Sequence, residues 1–219
     1  MEPREVMKYV DHSELANTAT WEDVKRLCDD AVYYNTSSIC IPPTYVKQAA
    51  EYLQGKMSVG TIIGYPLGYH TTAVKCFEAA EAIKDGANEV DVVVNLGWVK
   101  DGLFDKVTEE IKALRETAGD HILKIIIETG VLTQEEKIQL CKCVTEGGAD
   151  YIKTCTGFGV GKATLEDIAL FKEHIGPNVK MKASTGIMST EEGEAFIKLG
   201  ASRLGSKLLV NICKEQGLK

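Results

Sequence analysis

The chain has 219 residues, 44% of them hydrophobic and 26% charged, and its 25 basic against 32 acidic residues leave a formal charge of −7. A chain this long buries roughly 70% of its extended surface without help from disulfides or metals, and the ordinary composition excludes low-complexity and collagen-like architectures. The acidic balance argues against nucleic acid as a partner, because that role needs a basic face, and no run of about 18 apolar residues offers a membrane span.

Taken in chain order, the first segment, Met1–Lys8, is charged and has no apolar stretch, so no signal peptide is expected. An apolar run opens near Tyr9 (Tyr-Val-Asp-His). Thr20 follows as a candidate N-cap, with Asp23 three residues on. Trp21–Tyr34 then places Val24, Leu27, Cys28, Ala31 and Val32 on one face at helical period. Further apolar runs open near Ser38, Val59, Val90, Leu123, Tyr151, Val179 and Arg203. The eight starts lie about 28 residues apart, the length of a βα unit. Thr133 with Glu136, Thr164 with Asp167, and Ser189 with Glu192 repeat the capping pattern. Gly86, Gly119, Gly147-Gly148, Gly176-Pro177 and Gly200 mark where helices stop.

Runs such as Val-Asp-Val-Val-Val and Leu-Lys-Ile-Ile-Ile are apolar at nearly every position, so both of their faces are covered, as in parallel strands under helices. Eight such units close most simply into a single α/β domain, a (β/α)8 TIM barrel over residues 1–219. An open doubly wound sheet is the alternative, but no Gly-x-Gly-x-x-Gly follows the first run. The seven cysteines, at 28, 40, 76, 141, 143, 155 and 213, are odd in number and several sit in apolar runs, which suits buried reduced thiols in a cytoplasmic protein. They form no ligand spacing with the histidines, so neither a metal nor a cofactor is expected.

The charges that interrupt these apolar runs carry the chemistry: Asp91, Lys124, Glu128, Lys153 and Lys182. A lone buried charge is costly unless paired or neutralised. Lys153 precedes Thr154-Cys155-Thr156-Gly157 and Lys182 precedes Ala183-Ser184-Thr185-Gly186, which puts both near strand exits, where barrels build active sites. A lysine in an apolar pocket beside another cation has a lowered pKa and attacks carbonyls as a neutral amine, and a nearby carboxylate can relay protons. Alternation alone does not choose between Lys180 and Lys182 as that second cation. His12, His70, His121 and His174 read as loop or helix residues with surface or capping roles. Three small polar turns lead into helices: Thr156-Gly157-Phe158-Gly159, Ser184-Thr185-Gly186 and Gly205-Ser206-Lys207. Backbone amides in such turns hold phosphate.

Asp-Tyr-Ile-Lys-Thr-Cys-Thr-Gly-Phe-Gly (150–159) resembles the Schiff-base strand of the deoxyribose-phosphate aldolase family. In order along the chain, so do Val-Asp-His-Ser (10–13), Ser-Ile-Cys-Ile-Pro-Pro (38–43), Glu-Val-Asp-Val-Val-Val-Asn (89–95), Lys-Ile-Ile-Ile-Glu-Thr (124–129), Lys-Ala-Ser-Thr-Gly-Ile (182–187) and Gly-Ala-Ser-Arg-Leu-Gly (200–205). The resemblance implies a class I aldolase on a (β/α)8 barrel, reversibly cleaving 2-deoxy-D-ribose 5-phosphate to acetaldehyde and D-glyceraldehyde 3-phosphate. It implies Lys153 as the imine-forming lysine, Lys182 as the neighbouring ammonium that depresses its pKa, and Asp91 as a proton relay acting with a water. Asp11 and Cys40 would form the site's wall and Lys124 a supporting charge. Gly157, Phe158, Thr185, Gly186, Gly205 and Ser206 would bind substrate. On this reading Lys182→Leu removes a like-charge contact and costs the fold little.

The chain departs from the family at its phosphate end. Thr185-Gly186-Ile187-Met188 stands where Gly-Gly and a basic residue are usual, and Ser206-Lys207-Leu208 stands where Ser-Ser-Gly is. Glu14-Leu15-Ala16-Asn17 replaces Leu-Leu-Lys-Pro, and the tail Gly217-Leu218-Lys219 lacks the family's tyrosine. Lys162 and Lys207 are the cations available to compensate. The alternative functions are a related Schiff-base aldolase or transaldolase for another aldehyde or sugar phosphate, and a non-catalytic barrel that binds a sugar phosphate or a partner protein. The expected partners are a small-molecule substrate and further copies of the chain, most simply in a homodimer.

Overall fold

Eight parallel strands pair in sequence order and close on themselves: β1 (Val10–Ser13), β2 (Ser38–Ile41), β3 (Val59–Ile63), β4 (Glu89–Val93), β5 (Ile122–Ile126), β6 (Tyr151–Lys153), β7 (Lys180–Ser184) and β8 (Ala201–Ser206). Asp11 of β1 is in register with Ser38 of β2 on one side and Gly205 of β8 on the other, which seals the barrel. Helix α1 (Pro3–Met7) precedes β1. Between the strands run α2 (Trp21–Tyr34), α3 (Val46–Leu53), α4 (Thr72–Lys84), α5 (Leu96–Lys100), α6 (Phe104–Ala118), α7 (Gln134–Glu146), α8 (Leu165–His174) and α9 (Thr190–Leu199), and α10 (Leu208–Glu215) follows β8. This computed structural model describes residues 1–217, so Leu218 and Lys219 of the tail lie outside the described residues.

The local signals act as the chemistry requires. The side chains of Thr20, Thr133, Thr164 and Ser189 each accept the backbone N–H three residues on, capping α2, α7, α8 and α9. A cap of this kind is worth about 1 kcal/mol. Helix α9 stops at Gly200, whose φ of 117° is open to glycine and closed to most side chains. In α2, Val24, Leu27, Cys28 and Ala31 are buried, but Val32 is 41% exposed. It lies on the flank of the stripe, and the helix ends three residues later at Asn35, before any neighbour covers it.

Strand alternation sorts the residues into two layers. Val10, Ile39, Ile41, Val90, Val92, Leu123, Ile125, Ile152, Met181, Ala183 and Leu204 join the helices in the apolar core. Their neighbours Asp11, Glu89, Asp91, Lys124, Lys153 and Lys182 are equally buried yet lie outside that core and pair with one another across the barrel. The fold is thus held by the layer outside the strands, and the interior is left free for charge.

His12 departs from the expected loop position. It is a β1 residue, 2% exposed, and alternation turns it away from Asp11 and toward α2 and α10. Its Nδ1 finds no partner, and burial pushes its pKa down to about 4. His70 and His174 are exposed, and His121 is half-buried with Nδ1 3.0 Å from the Ala118 carbonyl oxygen, as expected of surface and capping residues. The seven cysteines are free thiols, all buried except half-buried Cys76.

Because the folded chain favours neutral His12, the unfolded chain binds more protons between the two pKa values. That contribution to stability is complete above about pH 6.5 and is lost as pH falls toward 4. Urea unfolding at pH 7.0 and 4.5 is expected to show His12→Gln losing less stability on acidification than the parent, by about 1–3 kcal/mol. An identical loss in both proteins would contradict this.

Candidate active site

Around the barrel, register brings the interior charges side by side. Asp91 of β4 is level with Lys124 of β5, Lys153 of β6 with Lys182 of β7, and Lys182 with Arg203 of β8. Glu89 shares Asp91's face at a two-residue spacing. Lys124 Nζ lies 2.5 Å from Glu89 Oε2 and donates to Asp91 Oδ1 at 2.9 Å. Lys182 Nζ lies 2.5 Å from Asp11 Oδ2 and donates to Asp91 Oδ2 at 2.7 Å. Arg203 donates to Asp11 Oδ1 at 2.5 Å and spans both oxygens of Glu89 at 3.0 and 3.1 Å. Lys153 Nζ has a single carboxylate contact, Asp91 Oδ2 at 2.8 Å, so one oxygen serves both Lys153 and Lys182.

The cluster therefore sets three carboxylates, Asp11, Glu89 and Asp91, against four basic groups, Lys124, Lys153, Lys182 and Arg203. It is neutral when one base gives up its proton, and uncompensated charge in the interior is the costly state. Burial would push the Asp91 carboxyl up, but Lys124, Lys153 and Lys182 outweigh it and hold Asp91 well below the carboxylate range. Burial would likewise lower Lys182, but Asp11 and Asp91 hold it above the ordinary lysine value, and Asp91 and Glu89 do the same for Lys124. Only for Lys153 does burial prevail: with Lys182 adding to it and Asp91 opposing, its ammonium is easier to deprotonate than an ordinary lysine's.

Lys153 is also the member of the cluster that meets open space. It forms part of the lining of a cavity of about 500 Å³ at the C-terminal ends of the strands. Gly157, Phe158, Thr185, Gly186, Gly205 and Ser206 line the same cavity. Asp91, Lys182, Asp11, Cys40 and Lys124 do not; they are buried beneath its floor. Asp11 and Cys40, expected in the wall, lie deeper because Asp11 stands two residues, and Cys40 one residue, before the end of its strand. Gly205 gives Lys182 its passage: a Cβ there would strike the Ser184 hydroxyl and come within 3.2 Å of Lys182 Cε. Thr185 has φ 81°, a left-handed backbone that a β-branched residue holds under strain.

Glu128 fixes the turn after β6. Its Oε2 accepts from the Thr156 hydroxyl at 2.5 Å and the Thr156 N–H at 3.1 Å, and the Thr156 hydroxyl accepts from the Phe158 N–H at 3.1 Å. The Tyr65 hydroxyl donates to the Thr156 carbonyl from the opposite side. Lys180 is exposed at the start of β7, which separates it from buried Lys182. Lys162 packs its stem against Gly186 and lines a neighbouring cleft instead of the cavity. Lys207 does line the cavity, paired with Glu14. Sequence reasoning missed Glu89, Arg203 and Glu14. Glu89 was recoverable from its spacing to Asp91; nothing local marks the other two.

The ion pairs reverse one expectation. Lys182 is held by two carboxylates, so Lys182→Leu strips Asp11 and Asp91 of a partner, a loss of about 3–5 kcal/mol. Lys153→Met removes only the contact with Asp91 Oδ2 that Lys182 shares, and is expected to cost clearly less, although both lysines are equally buried. Urea unfolding of the two variants at pH 7 checks this order, and the opposite order would contradict this ranking of the contacts.

The profile of the DeoC/LacD family aldolases matches residues 5–208. The chain is 53% identical to a deoxyribose-phosphate aldolase of Clostridium botulinum over 98% of its own length and 97% of the relative's. It is 52% identical to the Streptococcus pyogenes enzyme of the same name, over 100% and 98%. The tetrameric structure of the deoxyribose phosphate aldolase from Aeropyrum pernix superposes with a TM-score of 0.90 over 99% of this chain and 93% of that one, at 25% identity.

Proposed function

The chain belongs to the DeoC/LacD family of aldolases, and from that membership we propose that it cleaves 2-deoxy-D-ribose 5-phosphate reversibly to acetaldehyde and D-glyceraldehyde 3-phosphate through an imine on Lys153. The observation that carries this reading is the placement of Lys153, the one amine of the buried cluster that borders the cavity, held by a single shared carboxylate oxygen where burial favours its neutral form. A neutral amine at that point attacks C1 of the open-chain sugar to give a carbinolamine, and loss of water gives the protonated imine. The C3 hydroxyl then gives up its proton and the C2–C3 bond breaks. Its electron pair moves toward the iminium to leave an enamine, and C3 departs as the aldehyde carbon of the three-carbon phosphate. Protonation at C2 and hydrolysis of the imine release acetaldehyde and restore the amine.

Lys182 keeps its proton through this cycle, because Asp11 and Asp91 hold it, and supplies a fixed positive charge beside the imine. Asp91, tied to three lysines, is too weak a base to hold a proton for long. Its part is to receive one transiently, through a water, and to pass it on. The turns carrying Gly157, Thr185, Gly186, Gly205 and Ser206 offer their backbone amides to the phosphate.

The substrate is a small molecule, and among the described residues no helix is long and apolar enough to cross a membrane. A cytoplasmic homodimer is the proposed working form. Leu67, Tyr69, Val74 and Phe77 are each about half exposed or more along the segment from β3 into α4, an apolar surface that a second copy would cover.

Reduction with borohydride in the presence of acetaldehyde is expected to convert Lys153 to a secondary amine, located by peptide mass mapping, with or without EDTA. Lys153→Ala should abolish turnover. Asp91→Asn should still form the imine but slow deuterium uptake at the acetaldehyde methyl. An adduct on Lys124 or Lys182 with Lys153 unmodified would sink the assignment.

A further inference from the structure

Glu14, in the turn after β1, and Lys207, immediately before α10, form an ion pair on the wall of the cavity that Lys153 borders. The pair differs from an ordinary surface contact in three ways. Glu14 is only 7% exposed, and its other oxygen accepts the Ala16 amide at 3.2 Å, so the carboxylate is fixed. Lys207 is, besides Lys153, the one basic residue among the described residues that line this cavity, and more than half of its side chain is open to solvent. It also stands at the N-terminal end of α10, where the helix dipole disfavours a cation and where Ser206 Oγ already accepts the Leu208 and Leu209 amides. A buried carboxylate thus holds an ammonium against its local field, at the end of the chain segment that shapes the cavity.

We infer that the Glu14–Lys207 pair sets how strongly the enzyme prefers a phosphorylated to a neutral acceptor aldehyde: Lys207 receives the phosphate, and Glu14 competes with the phosphate for it. The inference rests on the aldolase reading above. A phosphate dianion entering the cavity meets one carboxylate and one ammonium, so it gains from Lys207 only as far as Glu14 releases it, and it is repelled by Glu14 meanwhile. For an uncharged aldehyde the pair presents no net charge and exerts no such discrimination. Glu14 and Lys207 also border a second cavity of about 170 Å³, whose other charged lining residues are already matched, Arg26 with Asp23 and Lys214 with Asp30, so the competition for Lys207 lies between Glu14 and the phosphate.

The test is the ratio of kcat/KM for adding acetaldehyde to D-glyceraldehyde 3-phosphate over that for D-glyceraldehyde. It is measured for the parent, Glu14→Gln and Lys207→Met at low ionic strength, with thermal unfolding as the check on folding. Glu14→Gln is expected to raise the ratio about tenfold through a lower KM for the phosphorylated aldehyde, the scale of one charge-assisted hydrogen bond. Lys207→Met is expected to lower it about tenfold or more. In the parent, raising the salt concentration should compress the ratio, a readout that needs no variant. A ratio unmoved by both variants and by salt overturns the inference. So does a lower ratio in Glu14→Gln, which would make Glu14 the support of Lys207 instead of its competitor. Failure of the parent to add acetaldehyde to either aldehyde would overturn the aldolase reading itself, and so is told apart from failure of this inference.

Discussion

Asp91 is the residue on which the arrangement depends. One of its oxygens is shared by Lys153 and Lys182 and the other binds Lys124, so three lysine amines converge on a single carboxylate that is fully buried. No member of such a cluster titrates alone. Every proton added or removed changes the net charge of a region with little water to screen it, and the interior tolerates least the state furthest from neutral. With three carboxylates present, the fourth base is surplus as a cation. Which base yields is decided by contacts. Arg203 has Asp11 and Glu89, Lys124 has Glu89 and Asp91, Lys182 has Asp11 and Asp91, and Lys153 has half a share in Asp91. The reactive amine is therefore the least supported one, and its reactivity is a consequence of charge balance more than of any direct push from a neighbouring ammonium.

A barrel can carry this interior because its stability comes from elsewhere. The centre of such a fold is usually packed with branched apolar side chains in layers. Here the alternate strand positions that face the helices supply the apolar core, and the inward positions are given to ion pairs. The strands hold Lys153, Lys182 and Asp91 at fixed heights, while the rim of the cavity is built from turns that sequence can vary without disturbing the floor. The departures at residues 14–17, 185–188 and 206–208 all fall on that rim. Thr156 shows how the rim is still tied down: Glu128 and Tyr65, from the turns after two other strands, both bond it.

Much of the architecture was legible in the sequence because it is written locally. Eight apolar runs at βα spacing, four capping pairs and the glycine stops needed no knowledge of contacts across the barrel. Lys153 and Asp91 stood out for the same reason, as charges that interrupt buried runs. What escaped depended on closure. Arg203 and Glu89 meet only because β8 and β4 face each other across the barrel, and Glu14 meets Lys207 only because β1 and β8 are neighbours. His12 was placed on the surface because its strand is short and polar at its end; burial came from α2 and α10 packing over it. The small cost expected of Lys182→Leu left out Asp11, which, far away in sequence, supplies half of the counter-charge of Lys182.

The claim that charge balance, and not proximity to Lys182 alone, frees the Lys153 amine is tested most directly by NMR of protein labelled at lysine Cε and Nζ, with Lys153 assigned by its loss in Lys153→Met. The account predicts that Lys153 titrates below the ordinary lysine range while the Lys124 and Lys182 signals stay those of ammonium groups throughout. It is contradicted if Lys153 remains an ammonium up to the ordinary lysine pKa, or if Lys124 or Lys182 is the group that loses its proton first.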